Sequence, residues 1–470
     1  MSILETILRV ALLILVVLAI FNVIIFVHEL GHFLAAKWRG LQIDRFQIWF
    51  GKPLWKKTIN GVQYGLGWIP AGGFVALPQL APMEAIEGKD TREHPLPPIK
   101  PIDKIIVAVA GPLFSMLLAL VCAVIVWAVG TPADFIRSTE IGYVEKDSPA
   151  EKAGLKIGDR IVAINGKPVD GFAGSLDSVT ERIILSEGKD IVFTVERPGV
   201  PTPIELHSGW AADKTAWYQR SGLRHVGVAP VSDAIIGKIY PHGPAEKAGL
   251  KPGDRIVEID GVKLRSFYQL SGYLKEHHWK TISLTVERGD ESLRVEITPE
   301  RPIKPAGNDP MLGILWGASN TVDTGIIHPG PIKQIRKSLR MMLVTITKVI
   351  SPKSSIGVDQ LAGPIGIAKM KYHLLQMKDG WRRVLAFMVL FNVNLAVLNM
   401  LPFPVLDGGH ITLAVLEAIA RRPVKARFLE VLQMGFAIAL ISLMLYVSSK
   451  DIGDDIGRGG DKLPQIEFAP

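Results

Sequence analysis

Four stretches of the chain are apolar almost without a break, and a long mixed interval separates the second from the third. Residues 10–27, 105–129, 384–401 and 431–447 each supply enough apolar positions to cross a bilayer core of about 30 Å as a helix. The first run has no basic start and no small-residue cleavage site, so it reads as a retained transmembrane helix and not as a signal peptide. Residues 45–50 and 62–75 alternate apolar with polar or glycine positions about Asn60-Gly61, the pattern of a β-hairpin. The hairpin's apolar rim (Trp49, Phe50, Trp55, Trp68, Phe74) fits two placements, dipping into the membrane interface or lying on an ordinary cytoplasmic hairpin. Residues 330–377 set Lys333, Arg336, Lys337 and Arg340 beside Leu339 and Met341 to Val344. That is the pattern of a helix lying along a membrane surface, interrupted by glycine and proline at 361–367.

The mixed interval holds an internal repeat. Ser148-Pro-Ala-Glu-Lys-Ala-Gly-Leu-Lys-Ile-Gly-Asp-Arg-Ile-Val-Ala-Ile-Asn-Gly166 returns 95 residues later as Gly243-Pro-Ala-Glu-Lys-Ala-Gly-Leu-Lys-Pro-Gly-Asp-Arg-Ile-Val-Glu-Ile-Asp-Gly261, which duplication explains. Each copy predicts a strand (141–144; 236–239), a short helix, a Gly-Asp turn, a strand, an Asn-Gly or Asp-Gly turn and further strands (191–196; 282–287). This order resembles PDZ domains of the bacterial type, which implies capture of an extended peptide or C-terminus by strand addition. A spacer or steric filter above the membrane is the other reading of the same pair.

Composition fits spans mixed with soluble parts: 470 residues, 48% of them hydrophobic. The net charge of +8 would suit nucleic acid in a soluble protein, but no nucleic-acid motif accompanies it and the charge gathers beside apolar runs. Lys37, Arg39, Arg45, Lys52, Lys56 and Lys57 place the loop after the first span in the cytoplasm and the N-terminus outside. A second cluster, Arg421, Arg422, Lys425 and Arg427, falls on the same side if four spans alternate. Cys122 is the single cysteine, so no internal disulfide can form. From Ser448 the chain is polar and glycine-rich, the composition of a disordered tail.

The expected fold is a four-helix multi-pass α-helical membrane protein with two inserted PDZ-like α+β domains and a membrane-associated β-hairpin. The division of the chain is 1–40 first span, 41–100 loop with hairpin (45–76), 101–130 second span and 135–221 first repeat domain. After these come 224–318 second repeat domain, 319–380 amphipathic region, 381–403 third span, 404–427 loop, 428–448 fourth span and 449–470 tail.

The chemistry sits at the end of the first run, in Val27-His28-Glu29-Leu30-Gly31-His32. Residues four apart share a helix face, so His28 and His32 can offer two imidazoles to one metal ion, with Glu29 placed to take a proton from water. The plainer reading is that both histidines cap the polar end of an apolar helix. A catalytic zinc site takes three protein ligands and leaves a fourth position open. Asp407, at the cytoplasmic end of the third span, lies at the same expected depth as the histidines and precedes two glycines, which makes it the candidate third ligand. Asn392, Asn394 and Asn399 in the third span need buried partners.

Taken together, the His28–His32 motif, the paired repeats and Asn399-Met-Leu-Pro402-Phe-Pro404-Val-Leu-Asp407-Gly-Gly resemble the site-2 protease family of intramembrane zinc metalloproteases. The order of parts is most similar to the bacterial regulator-of-sigma-E proteases, over about residues 10–448. The resemblance implies Zn2+ held by His28, His32 and Asp407, Glu29 as general base, and Asn399 and Pro402 lining the substrate site. It implies a bacterial inner membrane location with the repeats extracytoplasmic and the site near the cytoplasmic face. The substrates implied are single-span membrane proteins, an anti-sigma factor already cut outside the membrane or, alternatively, remnant signal peptides; a PDZ scaffold with a non-catalytic metal site is the contrasting reading. The hairpin resembles the family's membrane-associated β-loop, which presents substrate in extended form. Ser115 departs from the pattern, since relatives commonly have Asn there, and is expected to bear on helix packing more than on chemistry.

Overall fold

The structure, a computed structural model, describes residues 3–80, 99–304, 309–317, 322–323, 325–420, 426–457 and 466–469. Arg421, Arg422 and Lys425 of the second basic cluster lie outside the described residues. The chain forms two compact units, one of residues 1–132, 326–345 and 362–448, the other of 133–325, 346–361 and 449–470.

Four helices of the described chain are long and apolar enough to cross a membrane: within Ile3–Arg39, Pro101–Val129, Gly380–Asn399 and Ala426–Gly457. In the first unit the first two spans pack at close range because Gly31 has no side chain. A Cβ there would lie 2.4 Å from the Ala110 carbonyl oxygen, a distance no real contact tolerates. The same pair is joined by Arg39 and Asp103, 2.6 Å apart. Small residues of the second span, Cys122, Ala123 and Val126, bury against Val389 of the third, so Cys122 is a core filler. Lys104 of the second span pairs with Glu417 at 2.8 Å, which fixes the helix Asp407–Ala420 beside it.

The amphipathic stretch resolves into two helices, Pro331–Ile350 and Pro364–Gln376. Gly363 and Pro364 of the interrupting segment start the second of them, since proline at the first helical position gives up only an amide with no helical partner. This second helix is not wholly a surface element as its pattern suggests. Lys371 is fully buried, with its ammonium 3.5 Å from the Phe21 ring centroid and 4.7 Å from that of Phe391. The ammonium has no hydrogen-bond partner among the described residues; the ring faces offset part of its desolvation, and burial pushes its pKa down to about 8.

The hairpin strands run over Arg45–Ile59 and Val62–Ala76, longer than the alternation suggests, with Asn60 and Gly61 at φ of 51° and 81° as a primed two-residue turn requires. They curl into more than a plain hairpin. Residues 45–48 pair with 73–76 and also with 63–66, which pair in turn with 55–58, so both strands fold back, the first through a bulge at 49–53 and the second across 67–72. Gln47 holds the bulge, donating to the carbonyls of Trp49 and Gly51 at 3.0 and 2.9 Å. Of the aromatic rim, Trp55 and Trp68 are exposed, whereas Phe74 is buried and stacks on Phe50.

In the second unit each repeat closes its own apolar core, Ile141, Ile161, Phe193 and Val195 in the first, Ile236, Ile256, Leu284 and Val286 in the second. The Gly-Asp turns are locked identically. Arg197 grips Asp159 through Nε and Nη2 at 2.7 and 2.8 Å, and Arg288 grips Asp254 at 2.7 and 2.8 Å. Each repeat is completed by a returning strand: Val228–Pro230 pairs with Ile141–Val144, and Ile314–Trp316 with Ala234–Ile239. The first repeat therefore extends to residue 230, past the boundary expected at 221, because its last strand follows a loop that hides it in the sequence. The tail also departs from expectation. The fourth helix continues to Gly457, and Glu467 pairs with Lys304 in an antiparallel bridge.

Candidate functional site

The first span carries the centre of the site on one turn. His28 and His32 face each other with their Nε2 atoms 3.3 Å apart. Each ring is turned by its other nitrogen: Nδ1 of His28 lies 2.9 Å from Ser115 Oγ, and Nδ1 of His32 donates to the Val107 carbonyl at 2.8 Å. Both partners come from the second span, so the close packing that Gly31 permits also orients the imidazoles. That orientation leaves the two Nε2 atoms as the free ligating positions. The second span makes room for His32 with a glycine of its own, since a Cβ at Gly111 would stand 2.2 Å from His32 Nε2.

Asp407 reaches the same point from the far side. After the third span ends at Asn399, the chain turns through Pro402 and Pro404 and enters the helix Asp407–Ala420. Gly408 and Gly409 sit tight under that turn, where a Cβ would fall 2.3 Å from the Leu401 carbonyl oxygen and 2.1 Å from that of Phe403. The Asp407 carboxylate stands 3.3 Å from His28 Nε2 and 3.3 Å from His32 Nε2. Among the described residues this is the one group of three metal-ligating side chains whose donor atoms all lie within 4.8 Å of one another. Asp407 Oδ2 is buried without a hydrogen-bond partner. The two Nε2 atoms stand 3.3 Å apart and each lies 3.3 Å from a different oxygen of the carboxylate, spacings on the scale of the roughly 3.3 Å edge of a tetrahedron around a zinc with bonds of about 2.0 Å. The donor set of two imidazoles and a carboxylate is also one zinc favours, so the residues present fit the ion.

Two further groups border this triangle. Asn399 Nδ2 lies 3.4 Å from His28 Nε2, at the rim of the site. Glu29 turns to the hairpin, where a Cβ at Gly73 would come 3.3 Å from Glu29 Cγ and 2.9 Å from Ile25 Cγ2, so the strand passes directly over the glutamate. The hairpin is pinned there by Trp49, whose Nε1 donates to Asn22 Oδ1 of the first span at 2.5 Å.

The fold thus brings His28, His32, Asp407, Glu29 and Asn399 to one place. Pro402 is exposed in the turn leading to Asp407. Of the other asparagines, Asn392 donates back to Met388 in its own helix at 2.8 Å. Ser115, Gly111 and Gly73 belong to the site and carry no local signature of it. Ser115 does more than pack helices: it is fully buried and contacts the His28 ring at 2.9 Å. Its departure from the related pattern is the one signal that could have singled it out.

The profile of peptidase family M50 matches residues 16–443. A Neisseria meningitidis chain that carries the name of a zinc metalloprotease is 28% identical over 91% of this chain and 96% of its own. The regulator of sigma-E protease RseP of Escherichia coli is 28% identical over 90% of this chain and 94% of its own. Among solved structures, the PDZ domain of an SdrC-like protein from Listeria monocytogenes covers 22% of this chain and 93% of its own, at 20% identity and a TM-score of 0.16.

Proposed function

The chain belongs to peptidase family M50, and from that premise we propose that this metalloprotease is an intramembrane zinc endopeptidase that cuts the membrane-spanning segments of single-span proteins. The observation that carries the reading is the cluster of His28, His32 and Asp407, whose ligand atoms lie within 4.8 Å of one another, with both histidines on a helix apolar enough to cross a bilayer.

His28, His32 and Asp407 would hold zinc, which when bound would supply Lewis acidity to the scissile carbonyl and to water at the site. Glu29 takes the proton from the attacking water on its carboxylate and returns it to the leaving amide nitrogen. Asn399 offers its Nδ2–H₂ to the substrate carbonyl oxygen, where negative charge develops, and Pro402 lines the approach. A membrane helix satisfies every amide internally, so a substrate must be unwound before its carbonyl can be reached. The hairpin strand over Glu29 offers backbone groups to a segment in extended form and thereby stabilises the unwound state.

The repeats are read as PDZ-like domains on the extracytoplasmic side of the bacterial inner membrane, with the site near the cytoplasmic face. Residues after the fourth span touch residues between the second and third, through Arg220 with Asp454 and Lys304 with Glu467, which supports a common side for both. A relative named for regulating sigma-E makes an anti-sigma factor, already cut outside the membrane, the favoured substrate class.

Trapping with Glu29→Gln protein in native membranes, followed by mass spectrometry of the bound partners, tests the substrate class. Single-span membrane proteins are the expected catch. Soluble partners held only through residues 135–318 would favour a scaffold instead.

A further inference from the structure

The two repeats differ at one point that the chain itself fills. In the first, Ser148 caps the short helix Pro149–Lys152, its Oγ accepting from the Glu151 amide. Its side chain also occupies the space over Gly227, where a Cβ would meet Ser148 Cβ at 2.4 Å. Gly227 and Gly313 are equivalent in the fold: the carbonyl of Gly227 accepts from Glu145 N–H at 2.8 Å, and that of Gly313 from Tyr240 N–H at 2.9 Å. In the second repeat glycine replaces the capping serine, at Gly243, and no side-chain cap forms. The space left open is taken by Phe468, which is 4% exposed. Its ring stands 3.0 Å from where a Cβ would be at Gly243 and 3.0 Å from where one would be at Gly313.

Backbone pairing sets the ring there. Ile303 and Lys304 N–H donate to the Glu467 carbonyl at 2.6 and 3.3 Å, and Glu467 N–H donates to the Lys304 carbonyl at 3.0 Å. Lys304 Nζ then pairs with Glu467 Oε2 at 3.0 Å. Upstream, the end of the fourth helix is anchored on the segment that follows strand Ile204–Ser208 of the first repeat. Arg220 pairs with Asp451 and Asp454, and Lys450 donates to the Trp217 and Gln219 carbonyls at 2.7 and 3.0 Å.

We propose that the hollow floored by Gly243 and Gly313, with the strand edge at Ile303-Lys304, is a binding site for an extended segment carrying an acidic residue followed by an aromatic one. Residues 466–469 of this same chain are its resident ligand. The aromatic ring supplies most of the contact area, the main-chain bonds supply register, and Lys304 selects the acidic neighbour. The tail pairs with residues 303–304 and not with strand Ile314–Trp316. Serine costs a helix end little to lose to glycine, so the second repeat gives up a minor cap to gain the hollow. Only residues 458–465 separate the two anchors, and so short a tether holds the ligand at about millimolar effective concentration. A trans ligand of the same chemistry must compete with that. This inference does not depend on the protease reading.

Hydrogen exchange on the full chain in lipid nanodiscs tests it. Phe468→Ala should speed exchange at 303–304 and 312–313 by about tenfold or more while strand Ile191–Glu196 stays unchanged. Gly243→Ser, which restores the residue the first repeat already folds with, should give the same pattern. A synthetic peptide of residues 463–470 at about 1 mM should restore protection to a chain lacking 458–470, and the same peptide with alanine for phenylalanine should not. Unchanged exchange in Phe468→Ala, or failure of the peptide to protect, would overturn the proposal.

Discussion

Asp407, His28 and His32 are the proposed ligands, and Ser115 touches one of them, His28, from the second span, so their substitutions should grade. Asp407→Ala removes one corner of the triangle and should leave the purified protein with little zinc by metal analysis. Ser115→Ala leaves all three corners and loses one orienting contact, 2.9 Å from His28 Nδ1. Zinc affinity should then fall by about 10–100-fold, the usual cost of a lost ligand-orienting bond. Equal affinity in Ser115→Ala and wild type would reduce Ser115 to a packing residue. The histidines and Glu29 were legible in the sequence because helix periodicity alone puts them together. Asp407 was legible only through the topology of four alternating spans. Ser115 and Gly111 were not, because their roles exist only across a helix interface some 80 positions away in the chain.

Between elements, the site depends on how closely the first two spans approach. Gly111→Ala should raise helix propensity by up to about 1 kcal/mol yet push a methyl to within 2.2 Å of His32 Nε2. Zinc content should fall and thermal stability should drop, because overpacking of about 1–3 kcal/mol outweighs the propensity gain, and full zinc occupancy would contradict the packing described. The repeats rest on a different device, the Asp–Arg lock. Burial alone would raise the Asp254 carboxyl, but the Arg288 side chain and the Lys251 amide outweigh it and hold it below its ordinary range. A depressed folded-state value stabilises the fold fully above the unfolded value, about 4, and the gain is lost as pH falls through the folded value. Acid unfolding of the second repeat, followed by hydrogen exchange from pH 6 downward, should lose part of its steepness in Asp254→Asn. An unchanged acid slope would show that the lock is not coupled to folding. At this scale the repeat's strands were legible from the duplicated motif, whereas the curl of the hairpin and the returning strand Val228–Pro230 were not, because bulges and long loops break the alternation that reveals strands.

Across the whole molecule, the two repeats are tied to each other through Lys146 with Glu276 and Arg265 with Glu140, and by the tail anchored on both. These pairs are exposed and individually weak; we propose that the body they join acts as a sieve. A chain lacking 135–318 should therefore cut a substrate whose outer domain is still intact, and loss of cleavage would instead mark the repeats as recruiters. The tail's part in this arrangement could not be seen in a polar, glycine-rich sequence, where Phe468 is the only aromatic residue after Ser448. The central claim is that Glu29 and a zinc held by His28, His32 and Asp407 break a peptide bond within a membrane-spanning segment. Mass-spectrometric mapping of the bond cut in a single-span substrate, co-reconstituted in vesicles with wild-type or Glu29→Gln protein, tests it most directly. The account predicts a cut inside the apolar segment by the wild type, and with Glu29→Gln a rate lower by about 10²–10⁴-fold with zinc still bound. A cut outside that segment, or an undiminished rate in Glu29→Gln, would contradict it.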